Sequence, residues 1–128
     1  MNIEAEIQAK GLTAPRITPD DIEANIVSEH YFTALDALNG AGSDDHTGSA
    51  FDTIRDESDL VIVETALKLL TFCVLVLKNG FTVTGESACA SPENFNAELG
   101  RKIARENAIN KVWPLMGYEL KSKLQAIA

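Results

Sequence analysis

The stretch that most constrains the fold is residues 71–87, TFCVLVLKNGFTVTGES, in which two β-rich runs flank Lys-Asn-Gly. Asn-Gly between such runs is the strongest short-range signal of a β-hairpin, because a type I′ turn requires positive φ at both central positions. The alternative is a helix through Leu77 that ends at Gly80 as its C-cap. Since Val, Thr and Phe dominate both flanks, the pattern favours the hairpin.

The turn also predicts which side chains share a face. With Asn79 and Gly80 at its centre, Val76 lies opposite Val83 and Val74 lies opposite Gly85. One face is then a core face, formed by Phe72, Val74, Val76, Phe81 and Val83. The other face is too apolar to be exposed to water, and it carries Cys73, Leu75 and Leu77. Either residues 60–70 or a second subunit covers it, so these three are candidate interface residues of a homodimer.

Helix-start signals lie on both sides of the hairpin. Thr18 as N-cap and Pro19 in the first turn predict a helix that runs to about Glu29. A third strand is expected near residues 30–33, HYFT, which have strand composition. Ser91 and Pro92 predict the start of a long helix over about 91–113, followed by a break at Pro114 and a short C-terminal helix. Residues 60–70 fit a short helix or an extended lead-in equally well.

The predicted long helix has two different arcs at about 100° per residue. One arc has residues small enough for another element to approach closely, and its members are Ala97, Gly100, Ala104, Ala108 and Val112. The other arc is more bulky, with Phe95, Leu99, Ile103, Ile109 and Trp113. Glu106 and Asn110 project within this second arc. If buried, this polar pair must be hydrogen-bonded, in a structural network or as the wall of a ligand pocket.

These elements predict an α+β fold, with a small antiparallel sheet built on the hairpin. An N-terminal helix precedes the sheet, the long helix packs on it, and the short C-terminal helix closes the domain. The 128 residues are expected to form a single domain. Residues 1–17 form a flexible arm in this prediction, and residues 36–59 form an acidic, mobile surface insert.

Charge and composition exclude several classes of protein. The formal net charge of −8 argues against a nucleic-acid binder, which needs a basic surface to neutralise phosphates. The charge is uneven, since residues 1–65 sum to −11 and residues 66–128 to +3. The longest apolar run is too short to span a bilayer, and the first ten residues do not resemble a signal peptide. We therefore expect a cytoplasmic protein, in which Cys73 and Cys89 are reduced.

The sequence contains no recognisable catalytic motif. Cys89 has no evident histidine partner, and two cysteines 16 residues apart without paired histidines do not form a zinc site. We therefore predict a protein that is not an enzyme and has neither metal nor cofactor. The best candidate for a ligand site is the start of the long helix, where free backbone N–H groups favour an anion. Its candidate residues are Glu86, Ser87, Ser91, Asn94, Arg101 and Arg105.

The chain also resembles a known family. The string NGFTVTGESACASPENF, followed by GRKIARENA and WPL, is similar to a family of small tailed-phage and prophage proteins without an assigned activity. This family is named after gene product forty-nine of a coliphage and gene sixty-six of a Shigella phage. The resemblance covers residues 17–124 except for the insert at about 36–66, and it transfers no catalytic residues. It implies an accessory protein that acts in the host cytoplasm.

Three functions are consistent with these observations. The first is binding of a host or defence protein, which the acidic insert and the surplus apolar face favour. The second is binding or sequestering a small, nucleotide-like anion near the start of the long helix. The third is a minor structural role in the phage particle.

Overall fold

The predicted α+β fold is confirmed in a computed structural model, which describes residues 2–41 and 54–128. Three strands form one antiparallel sheet in the order β1-β2-β3. The elements in chain order are α1 (Ile3–Ala9), α2 (Pro19–Ala24), β1 (Ile26–Thr33), α3 (Ala34–Ala41), α4 (Glu57–Lys68), β2 (Leu70–Leu77), β3 (Thr82–Ala88), a 3₁₀ turn (Pro92–Asn94) and α5 (Ala97–Ala126).

The predicted start of α2 is correct, but its predicted end is not. Thr18 caps the helix through its side chain, and Asp21 completes a reciprocal capping box. The helix ends at Ala24 instead of Glu29, and β1 begins at Ile26. The backbone carbonyl of Asn25 accepts a 3.0 Å hydrogen bond from the Lys78 amide, so pairing with the hairpin takes over where helical bonding stops. The strand predicted at 30–33 therefore starts four residues earlier.

The structure describes part of the segments around these elements. Residues 1–17, predicted as a flexible arm, contain α1, and Arg16 forms a 2.7 Å ion pair with Glu4 of that helix. Residues 42–53, half of the predicted acidic insert, lie outside the described residues. Of its described residues, 36–41 belong to α3 and 57–59 begin α4. Residues 60–70 are helical as far as Lys68, so the helix is the correct alternative there.

The hairpin is present, but its turn is not of type I′. Gly80 has a φ of +87°, whereas no described residue other than glycine has a positive φ, and this excludes a type I′ conformation at Asn79. Gly80 N–H donates to the Leu77 carbonyl, and Leu77 N–H donates to the Phe81 carbonyl. This is a three-residue loop with glycine in the left-handed position. Strand pairing therefore differs by one residue from the prediction, with Leu75 opposite Val83 and Cys73 opposite Gly85.

A shift of one residue exchanges the two faces of a strand. The predicted interface residues Cys73, Leu75 and Leu77 are consequently buried in the core, with at most 4% of their surface exposed. Side chains with so little exposed surface cannot contact a second subunit, so this assignment is corrected. The core face predicted at Phe72, Val74 and Val76 is the other side of the sheet, and these residues are only half-buried.

Helix α5 covers the core face of β2 and β3, and it does so with the predicted arc of small residues. Gly100, Ala104, Ala108 and Val112 are its buried positions. A Cβ atom on Gly85 would overlap the backbone of Ala104 and Ala108, so the helix lies directly on the strand at this glycine. Ile22 of α2 completes the core beside α5.

Both predicted ends of the long helix are wrong. Residues 92–94 form the 3₁₀ turn, and α5 begins after Asn96, whose side chain accepts a 2.9 Å hydrogen bond from the Leu99 amide. Phe95 between them is extended, which separates the two turns. Pro114 does not end the helix, because α5 continues to Ala126. The separate C-terminal helix is therefore part of α5.

Candidate functional site

The six predicted ligand-binding residues do not form one site. Ser87 and Asn94 line a shallow cavity of about 120 Å³ at the end of the hairpin, together with Cys89, Phe95 and Leu99. The Cys89 thiol lies 3.2 Å from the Ser91 carbonyl oxygen, which places Ser91 beside this cavity but not in its lining. The structure thus brings three of the six residues into one neighbourhood.

Glu86 is held elsewhere, at the edge of the sheet. Its carboxylate lies 3.8 Å from the ammonium group of Lys111, and its backbone carbonyl accepts a 2.8 Å hydrogen bond from the Asn107 side chain. These contacts join the outer strand β3 to α5. Glu86 therefore has a structural explanation that involves no ligand.

Arg105 connects three elements. Its guanidinium donates two hydrogen bonds to the Glu23 carboxylate, at 2.6 and 3.0 Å, and one to Glu29 at 2.8 Å. The hydrogen bonds from Arg105 lower the pKa of the Glu23 carboxyl, and those to the two glutamates raise the pKa of the arginine itself. With these bonds made, Arg105 ties α2 and β1 to α5 and is not available to a ligand.

Arg101 lines a second, smaller cavity of about 80 Å³ near the start of α5. Tyr31, Thr71 and Asp36 contribute polar atoms to its lining, and Thr71 is 97% buried. Asp36 is already part of a capping interaction, in which its carboxylate accepts a 3.0 Å bond from the Thr33 amide. These hydrogen bonds lower the pKa of Asp36, so a carboxylate stands beside any anion in this cavity.

Cys73, the partner of Tyr31 in the pairing of β1 with β2, is buried and is not a reactive thiol. Burial raises the pKa of the Cys73 thiol, and burial together with the neighbouring Cys73 and Glu29 raises the pKa of Tyr31 to about 12. A thiol with a raised pKa is a poor nucleophile at neutral pH. The Tyr31–Cys73 contact is therefore part of the packing between β1 and β2.

The sequence prediction assigned to the core the side of the sheet that lies opposite α5. We call it the open face, and define it by the residues that alternate with the core positions: Ser28, His30, Phe32, Phe72, Val74, Val76, Thr82, Thr84 and Glu86. Phe32 and Phe72 stack on each other with ring centroids 5.6 Å apart. Val74 and Val76 are half-buried, and the threonines of β3 are exposed. The correct turn type would have identified this face from the sequence.

Two searches of the described residues complete the survey. Over residues 2–41 and 54–128, no group of three or more His, Cys, Asp or Glu side chains is arranged to hold a metal ion. Among the helices in those ranges, none combines the length and apolar character needed to cross a bilayer.

Comparison with protein families gives a match over most of the chain. The family model described as "Phage protein (N4 Gp49/phage Sf6 gene 66) family" matches residues 17–124. No curated protein and no solved structure matches the chain. The family match includes all three strands, α2 and nearly all of α5.

Proposed function

Since the chain belongs to the phage protein (N4 Gp49/phage Sf6 gene 66) family, we propose that it is a phage or prophage accessory protein that binds a host or defence protein. In this proposal it acts in the host cytoplasm and catalyses no reaction. The observation that carries the proposal is the open face. Its central strand presents Phe72, Val74 and Val76, although one side of an antiparallel sheet that faces water normally alternates to polar residues.

The rim of the open face indicates what kind of partner would fit. Ser28, Thr82 and Thr84 surround the valines with neutral polar groups, and His30 donates or accepts a 3.0 Å hydrogen bond with Ser28. Such a surface fits a partner with an apolar centre and few charges. The net charge of −8 would add long-range attraction to a partner that is basic around that centre.

The test is a quantitative binding measurement on an identified partner. A tagged chain is used to capture proteins from infected cells, the captured protein is identified by mass spectrometry and purified, and its affinity is measured with variants. We expect Val74→Lys to weaken binding at least about tenfold, because it places a charge at the centre of the contact. The matched control Val61→Lys changes an exposed valine on α4 and should leave binding unchanged.

Two results would contradict the proposal. Equal affinities for the wild-type chain and Val74→Lys would exclude the open face as the binding surface. Detection of the chain as a constant component of purified virions by mass spectrometry would favour the structural role instead. Circular dichroism of each variant shows whether a loss of binding reflects unfolding.

The second candidate function is the binding of a small anion in the cavity beside Arg101. Three groups in the lining of this cavity favour an anion: Arg101, the Thr71 hydroxyl and the first turn of α5 at Ala97. The Asp36 carboxylate, which also lines the cavity, repels an anion. Thermal-shift measurements with inorganic phosphate, nucleotides and cyclic nucleotides test it, since a ligand that binds only the folded state raises Tm. Arg101→Met should abolish such a shift, and Lys102→Met should not. No shift with any of these compounds would leave protein binding as the better proposal.

A further inference from the structure

The cavity of about 80 Å³ beside Arg101 is lined by two opposite charges that do not neutralise each other. Asp36 and Arg101 both line it, yet they form no ion pair with each other, and Arg101 pairs with no other described residue. Hydrogen bonds with Thr33 lower the pKa of the Asp36 carboxyl, so this group is negatively charged at neutral pH. A positive and a negative charge therefore flank the cavity, with space between them.

The most deeply buried polar group of the lining is Thr71. Only 3% of its surface is exposed, and its hydroxyl takes part in none of the side-chain hydrogen bonds among the described residues. Within residues 2–41 and 54–128, every fully enclosed side-chain oxygen of a buried residue has a hydrogen-bond partner, so this hydroxyl opens to the cavity. Since a polar group removed from bulk water normally has a partner, Thr71 offers the cavity a donor and an acceptor for a ligand.

The cavity has room for a small molecule. One water molecule needs about 10–15 Å³ of cavity volume, so this cavity holds a ligand of about five to eight non-hydrogen atoms. Ala97, the first residue of α5, lines it as well, and the amide groups in the first turn of a helix favour negative charge. The positive side of the cavity thus consists of Arg101 and the start of α5, and the negative side is the Asp36 carboxylate.

We propose that this cavity binds the zwitterion of a small α-amino acid, such as glycine, alanine or serine. The ligand carboxylate lies beside Arg101 and the first turn of α5, and the ligand ammonium group faces Asp36. A zwitterion complements both charges, whereas a simple anion, the second candidate function, brings a like charge close to Asp36. The proposal concerns the same cavity as that candidate but a different class of ligand, and it does not depend on the open face.

The rest of the lining limits which amino acids fit and how tightly they bind. Tyr31, Phe32 and Phe95 form walls beside the charged groups, and the lining contains no third charged residue. Amino acids with a charged side chain should therefore bind more weakly than alanine. Because Asp36 and Arg101 are exposed, solvent screens their attraction to the ligand, and we expect a dissociation constant near the millimolar range.

A nuclear magnetic resonance titration of the isotope-labelled chain with alanine and three matched compounds tests the proposal. N-acetylalanine keeps the carboxylate but has no ammonium group, alaninamide keeps the ammonium group but has no carboxylate, and inorganic phosphate is an anion without either. Alanine should shift the backbone amide signals of Thr71, Ala97 and Arg101 until they saturate. Each of the other three compounds should bind at least about tenfold more weakly, because each leaves one charged group of the cavity without a partner.

Variants separate binding of a zwitterion from binding of an anion. Asp36→Asn keeps an oxygen that can accept the bond from the Thr33 amide but removes the charge. It should weaken alanine binding at least about tenfold without weakening the binding of phosphate. Arg101→Met should abolish the binding of both, and the control Lys102→Met should change neither. Thr71→Val should weaken alanine binding without lowering Tm, because it removes a hydroxyl that has no partner among the described residues.

Three results would overturn the proposal. N-acetylalanine or phosphate that binds as tightly as alanine would show that the cavity takes a simple anion, and would support the second candidate function instead. Equal affinities of the wild type and Asp36→Asn for alanine would exclude the carboxylate from the site. The absence of saturable shifts with glycine, alanine and serine well above millimolar concentration would exclude the zwitterion altogether. None of these results bears on the open face, which Val74→Lys tests separately.

Discussion

The two faces of the sheet carry similar apolar side chains on β2 but differ in their neighbours. On the core face, β3 contributes Val83 and Gly85, and α5 lies against them with its smallest residues. On the open face, β3 contributes Thr82 and Thr84, and β1 contributes Ser28 and His30. The central strand alone thus does not decide which face becomes the core. The core face is determined by the residues of the edge strands and by the small residues of α5, which allow the helix to approach the sheet closely on one side only.

The largest expected effect comes from adding a side-chain atom to β3 where α5 lies directly on it. Gly85→Ala adds a Cβ atom that overlaps backbone atoms of Ala104 and Ala108, which cannot move away as a flexible side chain would. We expect a loss of at least about 4 kcal/mol in the free energy of unfolding, measured by urea denaturation. Gly40→Ala in α3 is the matched control, because a Cβ there meets nothing within 4 Å. A loss of less than about 1 kcal/mol at Gly85 would mean that α5 does not lie directly on β3.

A pair of truncations compares the two faces directly. Leu75→Ala removes a side chain that has no exposed surface, and we expect it to cost about 3 kcal/mol in the free energy of unfolding. Val74→Ala changes the adjacent, half-buried residue on the open face, and should cost less than about 1 kcal/mol in dilute solution. Equal losses would indicate that both faces are packed within one chain, and the open face would then not be available to a partner.

The ion pairs of Arg105 should have a smaller, pH-dependent effect. We expect Arg105→Met to cost about 1 kcal/mol at neutral pH, because Glu23 and Glu29 are partly exposed and the attraction is screened by solvent. The folded-state pKa of Glu23 is lowered, so the contribution is complete above the ordinary pKa of glutamate and is lost as the pH falls through the folded value. The difference between variant and wild type should therefore shrink in acid.

Urea denaturation at a series of pH values measures this difference. Lys102→Met is the control, since the Lys102–Glu98 pair has more than 70% of both side chains exposed and should contribute less. A constant difference between Arg105→Met and the wild type at all pH values would show that the lost packing of the arginine, and not its charge, is responsible.

An element of this fold could be predicted from the sequence where the interactions that determine it are local along the chain. The start of α2 was predictable, because Thr18, Pro19 and Asp21 act within one turn. The end of α2 was not, because Asn25 and Ile26 pair with a hairpin some fifty residues later. The faces of β2 were assigned in reverse, since both sides of that strand are apolar and the register depends on a single residue in the turn.

The prediction of the candidate site was also limited by contacts between residues that are distant in the sequence. The sequence indicates that Arg101 and Arg105 lie one turn apart on a helix, but only the packing of α2 against α5 reveals that Glu23 engages Arg105. The small-residue arc of α5 was correctly recognised as a surface for close approach. Its bulky arc could not be assigned to the interior or the exterior from periodicity, because both arcs are apolar enough to be buried.

The smallest expected effect concerns the turn that sets the register and hence the identity of the two faces. Gly80→Ala places a Cβ atom at a φ of +87° and should cost about 1 kcal/mol in the free energy of unfolding. Asn79→Ala removes only the exposed 2.9 Å hydrogen bond from the Phe81 amide to its side chain, and should cost about half as much or less. In a type I′ turn both positions require positive φ, so the two substitutions would cost about the same. Equal costs in urea denaturation would therefore indicate the alternative register, in which Leu75 points away from α5 and Val74 towards it.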